Sequence, residues 1–126
     1  LSRLEKKGLN LIGMKMMNIS EDLASRHYAE HKEKSFFKDL TRYITSGPVV
    51  AMVWQADNCV QLVRKLVGAT KVEESMPGTI RGDYSLHTPH NVIHASDSDE
   101  SATREINLFF KEDEIIDWHD ENAKWF

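Results

Sequence analysis

The chain has 126 residues, 40% of them apolar and 29% charged, which supports one globular domain with a core of useful size. A net charge of −4 argues against general nucleic-acid affinity through a basic face. The one cysteine, Cys59, excludes an internal disulfide framework and fits a reducing, cytoplasmic compartment.

No apolar run approaches the roughly 20 residues that a membrane-spanning helix needs, and LSRLEKKG holds no signal-peptide core. That opening segment reads as the last turns of a helix, with Lys6 and Lys7 near its end and Gly8 as the stop. LNLIGMKMM follows as a strand. Ser20 is placed to cap a helix over EDLASRHYAEH, with Glu21 and Asp22 at its positive end. Ser35 is placed to cap a shorter helix, FFKDLTRYIT, which stops at Ser46-Gly47-Pro48. PVVAMVW is a continuous apolar run between turn signals, hence a buried strand.

Asn58 stands where it could cap CVQLVRKLVG, whose Val60, Val63 and Leu66 share a face with Leu62 beside them. Residues 69 to 90 are polar and carry Pro77, Gly78, Gly82 and Pro89, which predicts a long ordered loop of the kind that often serves function. NVIHAS predicts a short strand. Ser98 or Asp99 caps ESATREINLFF, with Ala102, Ile106 and Phe109 as its inner stripe, and KEDEIIDWHDENAKWF adds a short helix and an aromatic end. Helices alternating with strands, without repeats or linkers, predict an α/β or α+β sandwich on one sheet.

Two sets of histidines have spacings that invite a metal reading: His27 with His31, and His87 with His90 and His94. Neither set has an acidic or thiol partner at motif spacing, and Pro89 keeps the second set off a helix, so no protein-only metal site is expected. His31, His87 and His119 read as solvated surface residues. His94 has apolar residues before it and small Ala95 and Ser96 after it, which suits either a satisfied core histidine or a reactive one. Arg64, Lys65 and Arg81 precede it in an acidic chain, and Arg81 lies in TIRGD beside Thr79 and Gly82. Guanidinium forks match phosphate geometry, and histidine can itself carry a covalent intermediate, so phosphoryl chemistry is one reading of this set.

HYAEHKEKSFF at 27–37, SGPVVAMVW at 46–54, PGTIRGDY at 77–84 and NVIHASDS at 91–98 occur in that order. Through them the chain resembles the nucleoside diphosphate kinases over nearly its whole length. The last segment closely matches that family's active-site signature, in which the histidine becomes phosphorylated. The resemblance implies an α+β, ferredoxin-like sandwich, an antiparallel sheet of four strands in a complete member, covered by helices. It implies reversible, ping-pong transfer of a terminal phosphate from a nucleoside triphosphate to a nucleoside diphosphate through phospho-His94. Glu105 would orient His94 through its other ring nitrogen, with Ser96 in the same network. Arg64, Thr70 and Arg81 would hold the phosphates, and Asn91 the ribose and phosphate end. Phe36 would stack on the base beside Leu40, and Tyr28 would stand near the phosphate acceptor. Mg2+ would arrive with the nucleotide phosphates. A homo-oligomer is implied, with the aromatic tail favouring a hexamer over a tetramer.

Ala95 stands where the family commonly has glycine. Residues 1–126 are expected to form one such domain, N-terminally incomplete, because the family begins with a strand carrying a lysine-proline-aspartate motif ahead of the first helix. A chain truly lacking that strand would be poorly stable and nearly inactive. A catalytically impaired paralogue, acting as a nucleotide-binding or interaction module, is the other reading.

Overall fold

A computed structural model describes residues 1–125; Phe126, the last residue of the aromatic tail, lies outside the described residues. Helix α1 (Ser2–Lys7) ends where expected, at Gly8, whose φ of 103° lets its own N–H reach Glu5 O at 3.0 Å and the Leu9 N–H reach Leu4 O at 3.2 Å. Strand β1 (Asn10–Met17) pairs antiparallel with β2 (Val49–Gln55), from Asn10 opposite Gln55 to Met17 opposite Val49. A register shift falls between Leu11 and Gly13. Gly13 is buried, and a Cβ there would lie 3.4 Å from both the Phe110 ring and Val53, so the strand passes close against the chain beyond the last helix.

Helix α2 (Glu21–His27) starts as the sequence predicts: the Ser20 hydroxyl accepts from the Leu23 N–H at 3.1 Å. Helix α3 (Phe37–Ile44) does not. It begins after Phe36 with no side-chain cap, because the chain before it is already coiled in a 3₁₀ turn (Ala29–His31) and further turns, so Ser35 has no extended N-cap position to fill. Helix α4 (Cys59–Val67) also lacks the expected cap. Asn58 adopts φ 52° and makes the turn with its backbone, not its side chain. Helix α6 (Asp99–Phe109) is capped by Ser98, whose Oγ accepts from the Ser101 N–H at 3.0 Å.

The expected long loop is largely ordered into short pieces: a 3₁₀ turn at Val72–Glu74, helix α5 (Ile80–Tyr84) capped by Thr79, and a 3₁₀ turn at Thr88–His90. The sheet of the described residues has two strands, β1 and β2. The strand expected over NVIHAS is absent; those residues run outside any strand ladder.

Leu4 and Val67 are the largest fully buried side chains, with Leu9, Ile19, Val53 and Phe110 also in the core. The expected inner stripe of α6, Ala102, Ile106 and Phe109, does face inward but is only half-buried. It lines a cavity of about 830 Å³ together with Val60 and Val63 of α4, β2 and residues 91–96. On β1 the far edge is occupied by the chain beyond α6. The Ile116 N–H donates to Ile12 O at 2.8 Å, Trp118 Nε1 to Leu11 O at 2.7 Å, and Asn10 Nδ2 to Trp118 O at 3.1 Å. Lys15 of β1 pairs with Glu114 at 2.9 Å. The expected short helix of this tail is present only as 3₁₀ turns, Glu112–Glu114 and Ala123–Trp125. Among the described residues no helix is long and apolar enough to cross a membrane.

Candidate active site

The segment 91–96 fails to form a strand for a visible reason. Val92 has φ 60°, a conformation that β-branched residues rarely adopt, and the Ile93 N–H folds back to Asn91 O at 2.7 Å. The carbonyls that a sheet ladder would use are taken by arginines: Arg81 Nη2 donates to Ile93 O at 2.7 Å and Arg64 Nη1 to Ala95 O at 3.2 Å. Ala95 is buried at 8% exposure, while the His94 side chain keeps 47% of its surface. His94 is therefore presented to solvent from a braced backbone.

Its partner is Glu105 on α6, only 7% exposed. A Glu105 oxygen contacts His94 Nε2, and the Ser96 hydroxyl donates to the same carboxylate at 3.3 Å. Burial alone would raise the Glu105 pKa, but the hydrogen bond from His94 and the nearby imidazoles outweigh it and hold the group below the usual carboxylate value. An ionised carboxylate only accepts hydrogen bonds, so Nε2 carries the proton. The neutral ring then has its lone pair on Nδ1, which is the nitrogen left free to act as a nucleophile.

A residue that sequence reasoning missed completes the pocket. His27, at the end of α2, is 5% exposed and meets the His94 ring edge-on, with centroids 4.5 Å apart. Phe109 and Tyr28 pack on its other sides at 5.1 and 4.5 Å. Burial drives its pKa down to about 4, so it is neutral at physiological pH. Arg104 of α6 donates to Arg26 O at 3.3 Å and so ties the end of α2 to α6. The available signal was the i, i+3 pairing of Ala24 and His27, the two buried residues of α2.

Two guanidiniums hold the backbone on either side of His94. Arg64 reaches Thr70 Oγ1 at 3.3 Å, and Arg81 reaches Ala69 O at 3.2 Å. Arg81 is 3% exposed; burial and the neighbouring Arg64 charge lower its pKa, yet a guanidinium stays charged at any physiological pH. The turn before α5 fixes Arg81. Thr79 caps Gly82 at 3.0 Å, and Gly82 lies so close to the Met76 carbonyl that an added Cβ would sit 2.0 Å from its oxygen. Arg3 of α1 clamps the same turn, with 2.6 Å to Asp83 and 3.0 Å to Gly78 O.

The structure thus gathers His94, Glu105, Ser96, Arg64, Thr70 and Arg81 around one segment, with Asn91 at its start and Tyr28 beside His27. Burial is the largest reason that the Tyr28 pKa is raised, with the Glu105 charge adding to it. Phe36 and Leu40 stand further out. Phe36 is 45% exposed at the start of α3, with Lys34 Nζ 5.6 Å from its ring centre and the His31 ring tilted against it at 5.6 Å, and Leu40 is half-buried. Phe36 connects to the His94 group through His31 and Tyr28.

The family model described as nucleoside diphosphate kinase matches residues 1–115. The nucleoside diphosphate kinase of Archaeoglobus fulgidus is 55% identical over 125 residues, 99% of this chain and 83% of that protein. That of Methanosphaera stadtmanae is 59% identical over 118 residues, 94% of this chain and 78% of the relative. Among solved structures, the halophilic nucleoside diphosphate kinase of Halobacterium salinarum, in complex with CDP, superposes with a TM-score of 0.95 at 50% identity, over 98% of this chain and 83% of that one.

Proposed function

The chain belongs to the nucleoside diphosphate kinase family, and on that premise we infer that its phosphate transfer runs through Nδ1 of His94. The fold is the α+β, ferredoxin-like class of that family, and the activity is phosphotransfer from a nucleoside triphosphate to a nucleoside diphosphate.

In the inferred route, the Nδ1 lone pair attacks the terminal phosphorus of the donor. The bond to the bridging oxygen breaks and a nucleoside diphosphate leaves. A terminal oxygen of the acceptor diphosphate then attacks the phosphorus and frees His94. Positive charge develops on the imidazole in the first half, and the buried Glu105 carboxylate at Nε2 is placed to stabilise it, with Ser96 holding Glu105. That His94–Glu105 pair is the observation that carries the reading. Arg64 and Arg81 are assigned to neutralise the transferring group and Thr70, bonded to Arg64, to hydrogen-bond it; their gathering around the His94 segment supports this.

Asn91, at the start of the segment that carries His94, and Tyr28, packed on His27, are assigned to the sugar and phosphate ends. Phe36 with Leu40 is assigned to the base. An exposed ring offers stacking worth about 1–3 kcal/mol to any base, and such a platform accepts purines and pyrimidines alike. The CDP bound to the Halobacterium protein supports a nucleotide site in this fold. The side chains around the phosphate region are guanidiniums, and Glu105 is occupied by His94, so the oxygen ligands of Mg2+ would come from the nucleotide itself. Bound there, Mg2+ would supply neutralisation of the phosphate charge. A homo-oligomer is supported by Met14, Met16 and Val50, which lie exposed on one face of the sheet, and the aromatic tail, with Trp118 and Trp125 exposed, favours a hexamer over a tetramer. The single free Cys59 supports a cytoplasmic setting.

The test is direct. Labelled ATP with magnesium should label the chain at one site, with acid-labile and base-stable chemistry. His94→Gln should abolish the label. A variant that still labels would remove His94 from the role of carrier.

A further inference from the structure

We propose that His27, His94 and Glu105 form a zinc-binding site whose occupancy switches off the His94 nucleophile. The role given to His94 rests on the phosphotransfer reading; the site itself rests on geometry alone. One nitrogen from each imidazole and one carboxylate oxygen of Glu105 all lie within 4.8 Å of one another. Zn2+ holds nitrogen and oxygen ligands at about 2.0–2.2 Å, so its tetrahedral ligands sit roughly 3.4 Å apart. Small side-chain rotations close the difference.

The second observation is His27. It is 95% removed from solvent, and neither of its ring nitrogens has a hydrogen-bond partner among the described residues. Buried polar atoms without partners are uncommon and call for an explanation. The catalytic reading uses His94, Glu105 and Ser96 but makes no use of a His27 nitrogen. The residues paired by sequence spacing, His27 with His31 and His87 with His90, are not the ones brought together; the cluster joins the end of α2, the 91–96 segment and α6.

The ligand set decides the metal. Two imidazoles and one carboxylate suit a borderline cation such as Zn2+ and leave a fourth position open, whereas Mg2+ and Ca2+ favour all-oxygen shells. Arg104 ties α2 to α6, so two ligands are held on a rigid frame. The nearby guanidiniums of Arg104 and Arg64 place the affinity below that of a structural zinc site.

Inhibition follows from the electron count of imidazole. A neutral ring has one lone pair. If zinc takes Nδ1, the nucleophilic nitrogen is occupied. If zinc takes Nε2, the proton there moves to Nδ1, which keeps the ring neutral, and the Nδ1 proton then removes the nucleophile. In either case Nδ1 has no free lone pair, and phosphorylation stops until the metal is withdrawn.

The experiment uses the full chain, freed of metal and without nucleotide. Zinc affinity is read by competition with a chromophoric chelator, and site geometry by the visible spectrum of bound Co2+. The wild type should bind one zinc per chain at least about tenfold more tightly than His27→Gln, in line with the 10–100-fold effects of lost metal-site partners. It should also give the intense bands of four-coordinate cobalt. The His31→Gln variant should bind like the wild type. Labelling of His94 by ATP and magnesium should fall as zinc fills the site and return on adding chelator. Equal zinc affinity in wild type and His27→Gln overturns the proposal. So does a weak, six-coordinate cobalt spectrum in the wild type, an outcome independent of how the variant folds. Undiminished labelling with zinc bound removes the inhibitory role. A chain that never labels, with or without zinc, counts against the phosphotransfer reading and leaves the binding arm intact.

Discussion

His27 is a buried base beside a buried acid, and that has a consequence for acid stability. Burial holds its pKa near 4, with His94 and Arg104 adding to the effect and Glu105 opposing it. In the unfolded chain the same group protonates near pH 6.5. Between those values the unfolded state binds more protons, so stability falls as pH falls from about 6.5 to about 4, by up to about 3 kcal/mol from this group. The depressed Glu105 acts in the same direction at lower pH, its contribution present above the ordinary carboxylate value and lost as pH drops below it. Urea midpoints of the metal-free chain at pH 7 and pH 5 should therefore differ more than those of His27→Phe, which keeps a ring and loses the titration. Equal differences would show that His27 does not control this window. At this scale the sequence was partly legible. His94 and Glu105 could be paired only through the motif that carries them, since a glutamate eleven positions on has no spacing rule of its own. His27 was read with His31 because their separation is visible in the sequence, while its contact with His94 crosses 67 positions and depends on how α2 packs against α6.

Among the elements, the turn that carries Arg81 is the most tightly constrained. Gly82 packs against the Met76 carbonyl and the Thr79 hydroxyl, both within 2.7 Å of an added Cβ, so Gly82→Ala forces the turn open. Overpacking of this kind costs about 1–3 kcal/mol. Because Arg81 leaves from the adjacent position, the substitution should also raise the apparent KM for nucleotide severalfold. A denaturation curve and a coupled kinase assay would show both changes; an unchanged KM would detach this turn from phosphate binding. The elements that the sequence mispredicted share a cause with this one. Residues 91–96 have strand composition, but Arg64 and Arg81 occupy their carbonyls and Val92 leaves the extended region. Local propensity cannot report a guanidinium arriving from another part of the chain. Where capping was purely local, at Ser20, Ser98 and Gly8, the sequence reading and the structure agree.

For the whole molecule, packing is uneven. Leu4 is 2% exposed with neighbours on every side, whereas Ile106 borders the 830 Å³ cavity. Truncating a fully packed Leu costs about 2–5 kcal/mol, a range that includes the cavity left behind. Leu4→Ala should fall within that range, and Ile106→Ala well below it, because much of the space beside Ile106 is already open. Chemical denaturation of the two variants of this 126-residue chain checks the order; a larger loss at Ile106 would mean that the cavity is closed in solution.

The tail that lies along β1 has a consequence for time as well as for energy. Asn10 and Leu11 meet Trp118 across 108 and 107 positions of chain. Contacts of such separation require a large loop to close, so they form late as a chain folds. Interactions absent from the transition state change how fast the native state opens and leave its formation nearly untouched. Trp118→Phe, which deletes the indole donor to Leu11, should therefore steepen neither limb of a chevron but lift the unfolding limb, while refolding keeps its rate. The last residues laid down along β1 would then act as the fold's clock, setting how long each molecule stays closed.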